Sequence, residues 1–85
     1  MKDPDNPKGI FGQRLIQLRK IKGWSQERLA LESGIARSYL GGVERGQRNI
    51  ALVNIYKLAL ALDVAPATLM EPPTESVENE AKSKK

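Results

Sequence analysis

The sequence contains no cysteine and no histidine. Without cysteine, the chain forms no disulfide and offers no thiolate as a nucleophile or metal ligand. Without histidine, it lacks the commonest general base and the commonest metal-binding side chain. Paired carboxylates and a glycine-rich phosphate loop with a lysine are also missing. We therefore expect no enzyme activity, no catalytic residue, no metal site and no cofactor.

Long apolar runs are missing as well. No stretch approaches the roughly 20 apolar residues that cross a membrane as a helix. The start Met1-Lys2-Asp3 is not typical of a signal peptide. We expect a cytoplasmic protein with no membrane partner. Its 85 residues allow one domain with a modest core, which dimerisation would help to stabilise.

Positive charge is concentrated in the middle of the chain. The net charge is +4, and between Lys8 and Met70 ten basic residues stand against four acidic ones. Such a basic body is typical of a protein with a polyanionic partner. Many domains with other functions are also mildly basic, so charge favours a nucleic-acid ligand without excluding other partners.

The residue pattern divides the chain into three parts. We predict a disordered N-terminal arm at residues 1–8, a folded domain at 9–71 and a disordered charged tail at 72–85, because the two ends have little apolar surface to bury. Apolar residues in the domain recur at helical spacing, and no strand-like alternation is present. The chain is therefore predicted to be all-α, with five helices near residues 11–22, 26–33, 37–45, 52–62 and 66–70.

Two of these helices have the spacing of a helix-turn-helix. Ser25 is a helix-capping residue, and Glu27 places negative charge in the first turn of the second helix. Gly34 supplies the left-handed conformation that ends this helix. The third helix follows within three residues and buries Leu40 and Val43.

The fourth helix carries more apolar surface than one core contact needs. Its predicted core face contains Leu52, Ile55, Leu58, Ala59 and Leu62. A second stripe, with Met70 nearby, is interpreted as a dimer interface, because apolar stripes mark contact sites; the alternative is that it packs on the fifth helix or on the termini. The predicted interface residues are Val53, Tyr56, Leu60 and Met70.

Several short motifs resemble one family. Among them are Gly23-Trp24-Ser25-Gln26, Ser33-Gly34, Tyr39-Leu40 and Val43-Glu44-Arg45-Gly46. Together they resemble the Cro and phage-repressor (XRE) class of helix-turn-helix DNA-binding proteins over about residues 10–70. The resemblance implies a compact, lambda-repressor-like domain. Within the class, the run from Arg37 to Asn49 is most similar to restriction-modification controller proteins.

The third helix would then be the recognition helix. In helix-turn-helix proteins, the amino-terminal residues of this helix reach base edges in the major groove. This geometry assigns base contacts to Arg37 and Ser38, with Arg37 facing guanine. The alternative for Arg37 is a solvated arginine, although a positive charge is electrostatically unfavourable at a helix start.

A second group of residues is predicted to contact phosphates, either from a helix start, from the loop after the third helix, or from the first helix. For each of them the alternative is an ordinary solvated polar residue. The group consists of Gln26, Tyr39, Gln47, Arg48, Asn49 and Arg14. Separately, the resemblance assigns Arg19 and Glu44 to a structural ion pair that orients the recognition helix.

Two features of the helices are unusual. Gly41 and Gly42 lie inside the third helix, where each costs about 1 kcal/mol relative to alanine. We interpret them as outward-facing positions that permit close approach to DNA; the alternative is that the helix tolerates them. The positions before the last three helices hold Ala36, Ala51 and Ala65, so each of these helices lacks a cap worth about 1 kcal/mol.

The sequence thus favours a regulator that binds double-stranded DNA as a homodimer on a near-palindromic operator. No segment remains for an effector domain, so no small-molecule effector is expected. One alternative is an antitoxin of the same fold, whose tail would fold on a toxin. The other is a helical protein-protein module without DNA binding, against which Arg37 and the basic body argue.

Overall fold

The computed structural model describes residues 6–74, and this part of the chain contains helices and no strand. The predicted all-α, five-helix architecture is confirmed. The helices are α1 (Pro7–Ile21), α2 (Gln26–Ser33), α3 (Arg37–Glu44), α4 (Leu52–Leu62) and α5 (Pro66–Met70). The predicted disorder of residues 1–5 and 75–85 lies outside the described residues. None of the five helices is long and apolar enough to cross a membrane.

The first helix begins four residues earlier than predicted. Asn6, in a left-handed conformation, accepts a hydrogen bond from the Gly9 amide through its side-chain Oδ1 at 3.1 Å. Pro7 follows at the first helical position, where a missing N–H costs nothing. Residues 7 and 8, which were assigned to the N-terminal arm, therefore belong to α1. The prediction began the helix too late because it relied on the spacing of apolar residues, and the cap lies before the first of them.

The helix-turn-helix is formed by local capping, as predicted. The Ser25 Oγ accepts a hydrogen bond from the Arg28 amide at 3.0 Å. Gly34 ends α2 with φ of 73°, a left-handed value that glycine adopts without strain. No side chain caps α3, and Ala36 precedes it with an extended ψ of 136°.

Each helix contributes one leucine to the centre of the core. These five side chains are essentially inaccessible to solvent, and full burial of each stabilises the fold by about 1.5–3 kcal/mol. They are Leu15, Leu29, Leu40, Leu58 and Leu69. Helix α1 packs on α3 and α5, and α2 packs on α3 and α4. The core thereby orients α3 with its Leu40 and Val43 side inward.

Helix α4 presents two apolar sectors, as the sequence indicated. Ile55, Leu58, Ala59 and Leu62 are buried. Leu52, which was assigned to this core face, is instead 69% exposed. It lies in the first turn of α4, at the border between the two sectors and only one turn from the exposed Tyr56, so its side chain belongs with the outer stripe.

The start of the predicted tail packs against α1. The Thr74 amide donates to Gln17 Oε1 at 3.1 Å, and Gln17 Nε2 donates to the Thr74 carbonyl at 2.6 Å. Residues 72–74 are therefore part of the folded unit. The prediction missed them because it relied on apolar residues, whereas this segment is held by hydrogen bonds between its backbone and the Gln17 side chain.

Candidate nucleic-acid interface

The amino-terminal end of α3 is open to solvent. Arg37 and Ser38 are both exposed, and Ala36 before them is exposed too. The first amides of a helix have no partner within the helix, and no side chain caps them here. This end of α3 combines unpaired donors, the positive end of the helix dipole and one arginine, which is an arrangement suited to an anionic ligand.

The carboxyl-terminal end of α3 is closed by an ion pair between Arg19 and Glu44. Arg19 Nε donates to Glu44 Oε2 at 2.7 Å, and Arg19 Nη2 donates to Oε1 at 3.1 Å. The remaining Nη1 donates to the Trp24 carbonyl at 3.0 Å. Since the Glu44 side chain is only 3% exposed, the bidentate pair is nearly dry and fixes α3 on α1.

Gln26 extends this pair to α2. Its Nε2 donates to Glu44 Oε1 at 2.9 Å. The side chain predicted to contact phosphate is therefore engaged with Glu44. Its backbone amide lies at the first position of α2, where no intrahelical partner exists. Of the groups on Gln26, the backbone amide rather than the side chain remains available to bind an anion.

The loop after α3 carries three exposed polar residues, Gln47, Arg48 and Asn49. Arg45 Nε donates to Gln47 Oε1 at 3.1 Å. The Arg48 guanidinium lies over the Tyr39 ring, 5.4 Å from its centre. This loop places cationic and amide side chains beside α3.

Tyr39 is half-buried and connects α3 to α4. Its hydroxyl oxygen accepts a hydrogen bond from the Ala51 amide at 3.3 Å, at the start of a helix that lacks a side-chain cap. The hydroxyl proton is not used by this bond and remains able to donate. Tyr39 is thus both a structural contact and a candidate phosphate donor.

Arg14, predicted to contact phosphate, is a structural residue. It is 6% exposed; its Nε donates to the Thr68 carbonyl at 2.9 Å, and its Nη2 pairs with Glu71 at 2.9 Å. It lies on the side of α1 that packs against α5, where it satisfies a carbonyl at the end of that helix. The assignment to DNA was wrong because no sequence pattern showed which neighbour faces this position.

Gly41 and Gly42 were predicted to face outward, but the structure shows that both are buried. A β-carbon on Gly41 would lie 3.1 Å from Arg45 Nη1, and one on Gly42 would lie 2.7 Å from Arg48 Cγ. Long polar side chains therefore cover both glycines. The covering residues are Arg45 at the C-cap of α3, Gln26 at the start of α2 and Arg48 in the loop after α3.

Lys8 was missed as a candidate because it was assigned to the arm. In the first turn of α1, Lys8 lines a depression together with Arg48 and Asn49. The sequence signal was Asn6-Pro7, a cap followed by a helix-starting proline. Trp24 was also passed over: Lys22 Nζ and the Arg28 guanidinium lie 4.8 Å and 4.7 Å from its ring centre, which places positive charge around the start of α2.

A separate surface of α4, which we call the α4 stripe, is apolar and exposed. Leu60 is 84% exposed and Tyr56 is 59% exposed. Neither α5 nor residues 72–74 cover it. The α4 stripe consists of Leu52, Val53, Tyr56 and Leu60, and the exposed Met70 lies on α5.

Comparison with known proteins relates the chain to one family. The helix-turn-helix family HTH_3 matches residues 15–69, which include α2 and α3 entirely. Control protein C.BamHI of Bacillus amyloliquefaciens is 43% identical over 68 residues, covering 79% of this chain and 84% of that protein.

Solved structures show the same relationship. The restriction-modification controller protein C.AhdI from Aeromonas hydrophila has a TM-score of 0.72 and 64% identity, covering 73% of this chain and 90% of that one. The biofilm regulator SinR, in complex with DNA, has a TM-score of 0.69 and 40% identity, covering 72% of this chain and 98% of that one.

Proposed function

Because the chain belongs to the HTH_3 helix-turn-helix family, we propose that it is a sequence-specific DNA-binding transcriptional regulator of the restriction-modification controller type. The observation that carries this proposal is the open amino-terminal end of α3, held in place by the buried Arg19–Glu44 pair at the other end. A cytoplasmic location follows from the proposed ligand.

Base recognition is assigned to Arg37 and Ser38. Both are exposed in the first turn of α3, which is the part of a recognition helix that reaches into the major groove. A bidentate contact from Arg37 to guanine would discriminate against other bases by about 1–3 kcal/mol. Ser38 has both a donor and an acceptor and therefore suits more than one base.

Phosphate contacts are assigned to residues on and beside α3, from the start of α2 to the loop that follows α3. The Gln26 backbone amide and the Tyr39 hydroxyl would act as neutral donors, and Arg48 as a charged one. The loop neighbours Gln47 and Asn49 complete the set, and Lys8 adds a second cation beside Arg48. These contacts would position α3 without reading sequence.

We assign the α4 stripe and Met70 to a homodimer interface. An exposed apolar surface of this kind on a small domain is typical of a contact with another protein. Two copies would place two recognition helices on half-sites about one helical turn, ~34 Å, apart on a near-palindromic operator. Occupancy would then rise with protein concentration through dimerisation.

The function is tested by selecting bound duplexes from random-sequence DNA at two salt concentrations. We expect enrichment of a motif with twofold symmetry. Weak binding that falls steeply with salt and selects no motif would contradict sequence-specific regulation, because only the phosphate contribution would be present. If a toxin co-purified with this protein, that result would instead favour the antitoxin function.

The dimer is tested by sedimentation of Tyr56→Asp. A buried carboxylate without a partner is strongly disfavoured, so we expect the variant to sediment as a monomer and to bind the selected operator weakly. Leu31→Asp is the matched control, since Leu31 is 77% exposed on α2, outside the α4 stripe. A dimeric Tyr56→Asp protein would place the interface elsewhere.

A further inference from the structure

The glycine pair of α3 is covered unevenly. A β-carbon on Gly41 would meet only the ends of two flexible side chains, Arg45 Nη1 at 3.1 Å and Gln26 Oε1 at 3.4 Å. A β-carbon on Gly42 would meet Arg48 Cγ at 2.7 Å, Nε at 3.4 Å and Cδ at 3.5 Å. Gly42 therefore lies beneath the stem of Arg48, which cannot move aside as easily as a side-chain end.

The backbone brings this stem to Gly42. The Gln47 amide donates to the Gly42 carbonyl at 2.8 Å, so the chain turns back along α3 directly before Arg48. The Arg48 stem then crosses α3 at Gly42, and its guanidinium lies over the Tyr39 ring. Such a cation over an aromatic face is held by the charge distribution of the ring.

We propose that Gly42 is a positioning residue that acts through Arg48. The missing side chain at position 42 provides the space in which Arg48 is held beside the recognition helix before DNA arrives. An arginine ordered in advance loses less rotamer freedom on binding. This inference rests on the proposed DNA-binding function and gives the costly glycine a role other than direct contact with DNA.

The decisive test is Gly42→Ala, measured by fluorescence anisotropy on the duplex selected by the unmodified protein. We expect the affinity to fall about tenfold, the size of losing one charge-assisted hydrogen bond. The helix itself should not suffer, because alanine is the better helix former. Gly41→Ala is the matched control and should reduce the affinity less, since only side-chain ends need to move.

A double-mutant cycle separates positioning from direct contact. If Gly42 acts through Arg48, then Gly42→Ala changes the affinity by less than about twofold once Arg48→Ala is present. An equal loss in both backgrounds would overturn the proposal, because DNA would then be meeting the glycine itself. Unchanged affinity in Gly42→Ala would overturn it as well.

A measurement without DNA makes the test independent of the operator. In the unmodified protein, the Arg48 side-chain protons should be shifted upfield in the NMR spectrum by the Tyr39 ring, and Gly42→Ala should abolish this shift while Gly41→Ala keeps it. Absence of the shift in the unmodified protein would overturn the inference. If Gly42→Ala failed to fold, full DNA affinity in Arg48→Ala would overturn the inference too.

The two proposals can fail separately. Failure of the unmodified protein to select any motif would refute the proposed function, and the NMR result would still test the placement of Arg48.

Discussion

The two ends of α3 have opposite character. At the carboxyl end, Glu44 receives hydrogen bonds from Arg19 and Gln26, and α1 crosses so closely that a β-carbon on Gly12 would lie 2.6 Å from the Glu44 carbonyl oxygen. At the amino end, Arg37 and Ser38 project from a helix start that no side chain caps. One end is closed and fixed, and the other is left open.

This difference suits a helix that must read a ligand. A recognition element needs a rigid base, since loosely held contacts lose affinity to conformational entropy. It also needs donors that the fold leaves unpaired. In this short helix of eight residues, both needs are met because the ion pair with Arg19 lies at the carboxyl end, while the first turn has no side-chain cap.

The ion pair at the closed end is removed most directly by Glu44→Gln. The substitution leaves the Arg19 guanidinium buried without its counter-charge, so we expect the free energy of unfolding to fall by about 3–5 kcal/mol in urea denaturation. Glu32→Gln is the control, because its pair with Arg28 is half exposed and contributes at most about 1 kcal/mol. Equal losses in the two variants would contradict the view that the closed end fixes α3.

The open end is tested by Arg37→Ala. We expect the affinity for the selected operator to fall by about 1–3 kcal/mol, together with weaker discrimination at one base pair. The free energy of unfolding should not fall, because the side chain is exposed and its charge is unfavourable at a helix start. Lys20→Ala removes an equal charge from the exposed side of α1 and serves as the control. A uniform loss on all sequences would assign Arg37 to phosphate instead of to a base.

The smallest effect is expected when the open end is capped. Ala36→Ser introduces a hydroxyl at the N-cap position of α3 and should raise the free energy of unfolding by about 1 kcal/mol. Ala67→Ser, exposed within α5, gives a comparison without an N-cap position. A gain no larger than that of the control would show that other groups already satisfy these amides.

Local signals predicted most of the fold. Ser25 and Gly34 set the limits of α2, and the periodicity of α4 separated its core face from the α4 stripe except at Leu52. The start of α1 was predicted four residues too late, because Asn6 and Pro7 precede the first apolar residue that the periodicity uses. The cap residue Asn6 followed by Pro7 would have been sufficient to locate the start of α1.

The candidate site was predicted less completely. Arg37 and Ser38 lie exposed where helix-turn-helix geometry requires, and their contacts with DNA remain a prediction. Arg14 was misassigned, and the burial of Gly41 and Gly42 was missed. The errors at Arg14 and Gly42 concern contacts with groups outside the residue's own helix.

The sequence by itself determined the helices, the turn between α2 and α3, and the presence of a second apolar stripe on α4, because caps and periodicity depend on residues a few positions apart. Only the tertiary structure decided that Arg14 faces Thr68 and Glu71, 54 and 57 positions away, and that Arg48 covers Gly42. The physical reason is that a helical face can be ranked by its apolarity from the sequence, whereas the partner of each polar group depends on how the helices pack in three dimensions.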